Sequence, residues 1–228
     1  MQDPWVHIGR LWTNGDPFLA VDATLRSAWR GFSNEDYDQV VALSPEEDTS
    51  VPVGAGRALL VGADGVVGDD SWMEVFTAQP GLIAVVQASG PDYPGILARA
   101  LAYPVDDDQD GDALTVESGQ LAIFSAADDG TGRYSGPWTS PRPGPVPDVH
   151  GPPTSDADPG LLIPAPHTRY RFKIRWHTWP DEDNCFARWL LLPAPPAHQV
   201  GLGTRCRAKV SAHKMLGGLE TPDPLLAK

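Results

Sequence analysis

The hydrophobic pattern of the chain centres on residues 51–62, with the sequence VPVGAGRALLVG. Two apolar runs, 51–53 and 58–61, flank Gly54 and Gly56. Because glycine adopts positive φ at little steric cost, a reversal at both glycines predicts a hairpin of adjacent antiparallel strands. The second run is continuously apolar, which predicts a central strand buried on both faces. A phosphate-binding loop is the competing interpretation, but neither glycine fingerprint is present and a strand pattern follows.

Strict alternation predicts a second strand at residues 169–176. Its apolar positions are Tyr170, Phe172, Ile174 and Trp176, and its basic positions are Arg169, Arg171, Lys173 and Arg175. A period of two directs the apolar set towards the core and the cations to the opposite face. The cations could bind nucleic acid, but we expect them to pair with acidic residues of the first half and to cover apolar surface. Residues 186–192 predict the returning antiparallel strand.

The remaining pattern predicts short strands and short helices. Strands are expected at 5–12, 18–21, 82–86 and around Leu121, Ile123 and Phe124. A helix is expected at 22–30 with Asp22 as its N-cap, and a capping-box pattern predicts another at 71–74. A helix at 34–43, capped by Ser33, would have Tyr37, Val40 and Val41 on one face. A helix at 95–102 would direct Ile96, Leu97 and Ala100 towards the core.

These elements define an α+β fold, with a mostly antiparallel sheet and a few short helices packed on it. A long Pro-rich loop at 131–166 cannot join the interior of a sheet, and we expect it to cover one end of the fold. We assign residues 1–196 to a single domain and 197–228 to a basic C-terminal tail.

The charge of the chain is unevenly distributed. Residues 1–113 carry 19 acidic and 5 basic side chains, whereas residues 114–228 carry 11 and 12. The first half therefore predicts an acidic surface, which disfavours nucleic acid as a partner and attracts a basic protein. Plain solubility is the alternative explanation of this charge.

The sequence predicts a cytoplasmic protein. No apolar run approaches the roughly 18 residues of a membrane helix, and the first residues lack the pattern of a signal peptide. Cys185 and Cys206 do not form a disulfide framework or a zinc motif, so we expect two thiols in a reducing compartment.

The strongest match to a metal motif is an acidic loop at 106–117. Asp106, Asp108, Asp110, Gly111 and Glu117 fit the calcium-loop spacing position by position. The residues that follow predict a strand where a calcium loop needs a helix, so we expect a solvated acidic turn, with no metal and no cofactor. No zinc-type histidine pair and no Gly-x-Ser-x-Gly motif occurs, and we therefore predict no enzyme and name no catalytic residue. A small enzyme or a metal-dependent module that uses this loop is the alternative.

Several short motifs resemble the immunity protein 21 family of bacterial polymorphic toxin systems. They are Trp29-Arg30-Gly31, Asp36-Tyr37 and the stretch 51–62, followed in similar order by 82–86, a helix, 119–126 and 168–176. The chain departs from the family at 14–17, where Asn-Gly-Asp-Pro replaces an expected Gly-Gly-Pro, in the Pro-rich loop and after residue 196. The resemblance implies a cytoplasmic, non-enzymatic protein that binds and neutralises a cognate protein toxin.

Acidic side chains of the first half are the candidate toxin-binding residues, because carboxylates complement the basic cleft of a nucleic-acid-acting toxin. They are Glu35, Asp36, Asp38, Glu46, Glu47, Asp48, Asp69, Asp70 and Glu74. Trp72 and Tyr37 are candidate aromatic anchors among them.

Overall fold

The computed structural model describes residues 5–44, 47–62, 67, 70–136, 138–148, 160–179 and 184–194. The chain divides into two units, Met1–Pro196 and Ala197–Lys228. The second unit, with the predicted basic tail, lies outside the described residues.

Most of the described chain is antiparallel β-structure, as the sequence predicts, but it forms two sheets. The larger sheet contains β1 (Val6–Asn14), β5 (Asp70–Ala78), β6 (Leu82–Ser89), β12 (Asn184–Pro193), β11 (Arg169–Trp179) and β7 (Gln109–Asp110) in that spatial order, and β8 (Leu114–Thr115) also pairs with β11. The smaller sheet contains β10 (Gly160–Pro164), β9 (Gln120–Ser125), β2 (Phe18–Asp22), β4 (Gly56–Val61) and β3 (Ser50–Val53).

The predicted hairpin at 51–62 is confirmed. β3 and β4 pair antiparallel, with Val51 opposite Ala58, and β4 lies between β3 and β2. Its apolar run is buried, as expected of an interior strand. Gly54 has a φ of 55°, whereas Gly56 does not have positive φ and instead pairs with Val53 as the first residue of β4. One left-handed residue is therefore enough to reverse the chain here.

The main core lies between the two sheets and includes the apolar face of β11. Tyr170, Phe172 and Ile174 are buried there, and Trp176 is half-buried against them. The predicted pairing of the β11 cations with first-half acids is confirmed at two positions. Lys173 Nζ lies 2.8 Å from Asp110 Oδ1, and Arg175 Nε lies 2.5 Å from Asp108 Oδ1.

Short helices cover both outer faces of the paired sheets. The α-helix α1 (Asp36–Val41) and the 3₁₀ segments Arg26–Ala28 and Gly31–Asn34 lie with the outer face of the smaller sheet, and α2 (Tyr93–Ala102) lies against the larger one. Asp92 caps α2, because its carboxylate accepts the Gly95 N–H at 3.2 Å. The chain is thus an α+β protein. Within its described part, no helix is long and apolar enough to cross a membrane.

Three of the predicted helices differ from the structure. Residues 71–74 belong to β5, so the capping-box interpretation is wrong. The stretch 22–30 contains only the 3₁₀ segment, and the Asp22 carboxylate accepts the N–H groups of Glu117 at 2.5 Å and Ser118 at 2.8 Å. The helix expected at 34–43 is shorter and begins at Asp36.

Part of the Pro-rich loop that the structure describes lies along the edges of both sheets. Thr139 donates its N–H to Gly160 O and accepts from Leu162 N, both at 3.0 Å, on the outer edge of β10. Three residues later, Arg142 N donates to Ile8 O at 2.8 Å and Gly144 N to His7 O at 3.1 Å. The segment 139–144 therefore joins the edges of the two sheets, and the predicted loop 131–166 also contains β10 as an edge strand.

Replacing Phe172 by alanine is expected to reduce the free energy of unfolding by about 3–5 kcal/mol, because the ring fills the core between the sheets. Arg171→Ala, one residue away on the exposed face, is the matched control and should change stability by less than about 0.5 kcal/mol. Urea unfolding of both variants measures the difference. Equal losses would show that the alternation does not mark a core face.

Candidate protein-binding surface

Phe32 and Val41 flank Glu35, Asp36 and Asp38 in the chain. Tyr134 is linked to the same region, because its carbonyl oxygen accepts the Asp129 N–H at 3.2 Å and the Asp129 carboxylate accepts the Ser33 hydroxyl at 2.6 Å. Phe32, Val41 and Tyr134 are 65%, 68% and 59% exposed, respectively. We call this region the acidic–aromatic surface and define it by Phe32, Glu35, Asp36, Tyr37, Asp38, Val41 and Tyr134. Large apolar side chains in water are unfavourable, and grouped ones are typical of interaction sites.

Buried contacts fix the 3₁₀ segment Gly31–Asn34 beneath this surface. The indole Nε1 of Trp29 donates to Ala126 O at 2.8 Å inside the outer core of the smaller sheet. Gly31 has a φ of 47°, and a Cβ there would lie 2.3 Å from Ala127 O, so only glycine fits. Phe32 N then donates to the same carbonyl oxygen at 3.1 Å. The backbone that carries Phe32 is therefore held by the sheet.

Between the 3₁₀ segment and α1, the chain turns through Glu35 in a left-handed conformation, with a φ of 60°. Non-glycine residues rarely adopt this conformation, and such strain often occurs at binding sites. The turn brings the Phe32 and Tyr37 rings to a centroid distance of 4.4 Å. The Tyr37 hydroxyl donates to Asp16, and burial together with this carboxylate raises the pKa of Tyr37. Tyr37 is thus anchored while Phe32 stays exposed.

The electrostatics of the region are dominated by carboxylates. Asp128 is half-buried, and its burial together with the charges of Asp16 and Asp129 raises its pKa. Arg30 is engaged by acids on two sides, since its guanidinium lies 3.1 Å from Asp129 Oδ2 and its backbone N–H donates to Asp36 Oδ2 at 2.9 Å. Acids therefore crowd the base of the surface while Glu35 and Asp38 extend negative charge to its exposed side.

The structure brings Glu35, Asp36, Asp38 and Tyr37 together, but it disperses the other predicted residues. Glu47 and Asp48 are exposed in the segment before β3, where Asp48 Oδ2 accepts Ser44 N at 3.1 Å. Trp72 is half-buried on the outer face of the larger sheet, against the rings of Trp12 and the guanidinium of Arg10. Glu46 and Asp69 lie outside the described residues, as does the side chain of Asp70 in β5.

Glu74 is not a surface residue. Its side chain is 0% exposed, and it accepts hydrogen bonds from Arg10 and, at 2.9 Å, from the Tyr93 hydroxyl. His7 Nε2 lies 2.8 Å from its second oxygen. Burial alone would raise the pKa of Glu74, but the hydrogen bonds of His7 and Arg10 and the Arg10 charge outweigh it and lower that pKa. The carboxylate thus joins β1, β5 and α2 and cannot contact a partner.

The lowered pKa of Glu74 predicts a pH dependence of stability. Because the folded pKa lies below the ordinary value of 4.5, the ionised group stabilises the fold above that value, and the contribution is lost as the pH falls through the folded pKa. Glu74→Gln should therefore show a flatter decline of unfolding free energy between pH 5 and 3 than the parent chain. Urea titrations at several pH values measure both slopes. Identical slopes would exclude Glu74 as the titrating group.

The predicted calcium loop is occupied by ion pairs. Asp108 is buried, and its two oxygens each lie 2.5 Å from an arginine, Arg175 Nε and Arg188 Nη2. Asp110 pairs with Lys173. The solvated-turn interpretation is therefore wrong for Asp108, although Asp106 and Glu117 are exposed. In the part of the chain that the structure describes, no group of three His, Cys, Asp or Glu residues could hold a metal ion.

Asp108→Asn is expected to reduce the free energy of unfolding by about 3–5 kcal/mol, because two arginines would lose their buried counter-charge. Asp107→Asn, at the exposed neighbouring position, is the control and should be nearly neutral. Thermal or urea unfolding compares them. A loss at Asp108 no larger than at Asp107 would contradict a structural role for the buried carboxylate.

Sequence reasoning missed Phe32, Val41 and Tyr134 as surface residues. Val41 was expected on one face with Tyr37 and Val40, but α1 has only six residues, and Val40 is buried while Val41 is exposed. A feature of the sequence that could have indicated this surface is Phe32, an aromatic residue in the polar stretch between Gly31 and Glu35.

Comparisons of this chain with protein-family models, curated proteins and solved structures find no significant match.

Proposed function

We propose that this chain is a cytoplasmic, non-enzymatic immunity protein that binds and neutralises a cognate protein toxin through the acidic–aromatic surface. The observation that carries the proposal is the exposure of Phe32, Val41 and Tyr134 beside Glu35 and Asp38 on a backbone fixed from below. Exposed aromatic side chains at the centre of a rigid patch are the usual anchors of protein interfaces. A membrane or nucleic acid would not be attracted to this charge.

The resemblance to immunity protein 21 supports the same location. Two of the short motifs that carry it meet at the acidic–aromatic surface. In the first, Trp29 and Gly31 fix the backbone and Arg30 contacts Asp36 and Asp129. In the second, Asp36 and Tyr37 are members of the surface itself. The first motif thus holds the backbone of the acidic–aromatic surface, and the second contributes two of its residues.

Charge complementarity indicates a basic partner. The chain has a formal charge of -13. Glu35, Asp36 and Asp38 lie in the acidic–aromatic surface, with Asp128 and Asp129 at its base, and its basic neighbours include Arg30 and Arg133. A toxin that acts on nucleic acid needs a basic cleft for the phosphates, and carboxylates facing such a cleft favour fast association. The aromatic residues would then slow dissociation by filling apolar parts of the interface.

The alternative of a small enzyme or metal-dependent module at 106–117 has less support. Asp108 and Asp110 already pair with Arg175, Arg188 and Lys173, which takes up the oxygens that a cation would require.

The test is the kinetics of binding to the product of the neighbouring upstream gene at two salt concentrations. Glu35→Lys combined with Asp38→Lys should slow association about tenfold or more at low salt and weaken its salt dependence, because both carboxylates are exposed on the proposed surface. Asp106→Lys combined with Asp107→Lys makes the same charge change at two other exposed positions and is the matched control.

Equal slowing by both double variants would assign the effect to net charge and remove the acidic–aromatic surface from the interface. Phe32→Ala supplies an independent measurement, and it should speed dissociation with little change in folding stability because the ring is mostly exposed. An upstream product that does not bind the parent chain would contradict the immunity function itself.

A further inference from the structure

A cavity of about 520 Å³ lies where β1 begins, β5 ends and β6 begins. Its floor consists of Ile8, Ile83 and Ile163, which are buried members of the core between the sheets. Because side chains of both sheets reach it, the cavity is a continuation of that core to the outside. Its volume is within the range typical of pockets that bind small molecules, which is about 300–1,000 Å³.

Rigid, apolar groups form the walls of the cavity. Pro141, Pro164 and Pro166 line one side, and the first of these is held in place where Arg142 N donates to Ile8 O at 2.8 Å. Proline loses little conformational freedom when a ligand binds, so a wall of prolines keeps the cavity open at low entropic cost. The edge-covering segment 139–144 therefore also shapes this cavity.

The chemistry of the lining restricts the ligand. Among the described lining residues, Thr77 and Gln79 are the polar side chains, and none is charged. Water in such a space finds few hydrogen-bond partners, so apolar cavities of this kind favour apolar guests. A charged ligand would lose its hydration without a counter-charge to replace it.

We propose that this cavity binds a neutral, largely apolar small molecule, such as a medium-length alkyl chain or a small ring system. The apolar part contacts the three isoleucines, and a single polar group lies at the mouth near Gln79. This site is separate from the acidic–aromatic surface and does not depend on the proposed toxin partner. Its occupant stabilises the folded chain by mass action, since the site does not exist in the unfolded state.

Titration of the full chain with 1-decanol tests the proposal. Isoleucine-methyl NMR should show saturable shifts at Ile8, Ile83 and Ile163 but not at Ile96, which packs between α2 and the larger sheet. Decanol should also raise the midpoint of thermal unfolding, because it binds the folded state alone.

Thr77→Trp should weaken decanol binding about tenfold or more, because the indole occupies the space of the alkyl chain. Thr178→Trp, an exposed strand position in β11, is the matched control and should leave binding unchanged. Val6→Trp narrows the mouth at a position that is 43% exposed, and it gives the same test if Thr77→Trp does not fold. Absence of saturable shifts in the parent chain, or binding equal in the blocked and control variants, would overturn the proposal.

Discussion

Asp108 is buried between two arginines, and its charge holds together parts of the chain that are far apart in sequence. Arg175 comes from β11 and Arg188 from β12, and Arg188 also donates to Ala100 O at 2.6 Å and Tyr103 O at 2.8 Å at the end of α2. Without Asp108 the two guanidinium groups would lie close together without a counter-charge, and the loss of folding free energy would exceed the contribution of most single contacts. Through these two arginines, Asp108 links its own loop to two adjacent strands, and Arg188 extends the link to the last turn of α2.

Glu74 is likewise a buried carboxylate among polar partners, at the start of α2, where His7, Arg10 and Tyr93 surround it. Two acids of the first half therefore belong to the interior. A third, Asp22, accepts the backbone N–H groups of Glu117 and Ser118. Burial alone would raise the pKa of Asp22, but hydrogen bonds from Thr24 and Ser118 outweigh it and lower that pKa to about 2. The formal charge of the first half consequently overstates its surface charge. Among the acids that remain outside the interior, Glu35, Asp36 and Asp38 are the group beside exposed apolar side chains, Phe32 and Val41.

Hydrophobic periodicity predicted strands and one helix well, whereas the short helix signals at 22–30 and 71–74 failed and contacts distant in sequence were mostly not predicted. The β3–β4 hairpin, the β11–β12 pair and α2 each lie within a short stretch of the chain, the longest being residues 169–193, and all three are confirmed. The burial of Glu74 and Asp108 depends on partners 67 and 80 residues away, His7 and Arg188, which no window of sequence contains. Likewise, the division of the strands into two sheets arises from long-range pairing. The acidic half of the candidate surface was predictable, but its exposed Phe32 and Val41 required knowledge of where α1 begins.

The pairing of β6 with β12 has a consequence for how the chain reaches its native state. β6 ends at Ser89 and its partner begins at Asn184, so the middle of the larger sheet joins segments made far apart in time on a ribosome. Until β12 is synthesised, β6 has β5 on one side and an open edge on the other, and its apolar residues lack half of their neighbours. High contact order of this kind slows folding. β12 therefore joins the two parts of the larger sheet, and a nascent chain that lacks it exposes an apolar sheet edge that can pair with other chains.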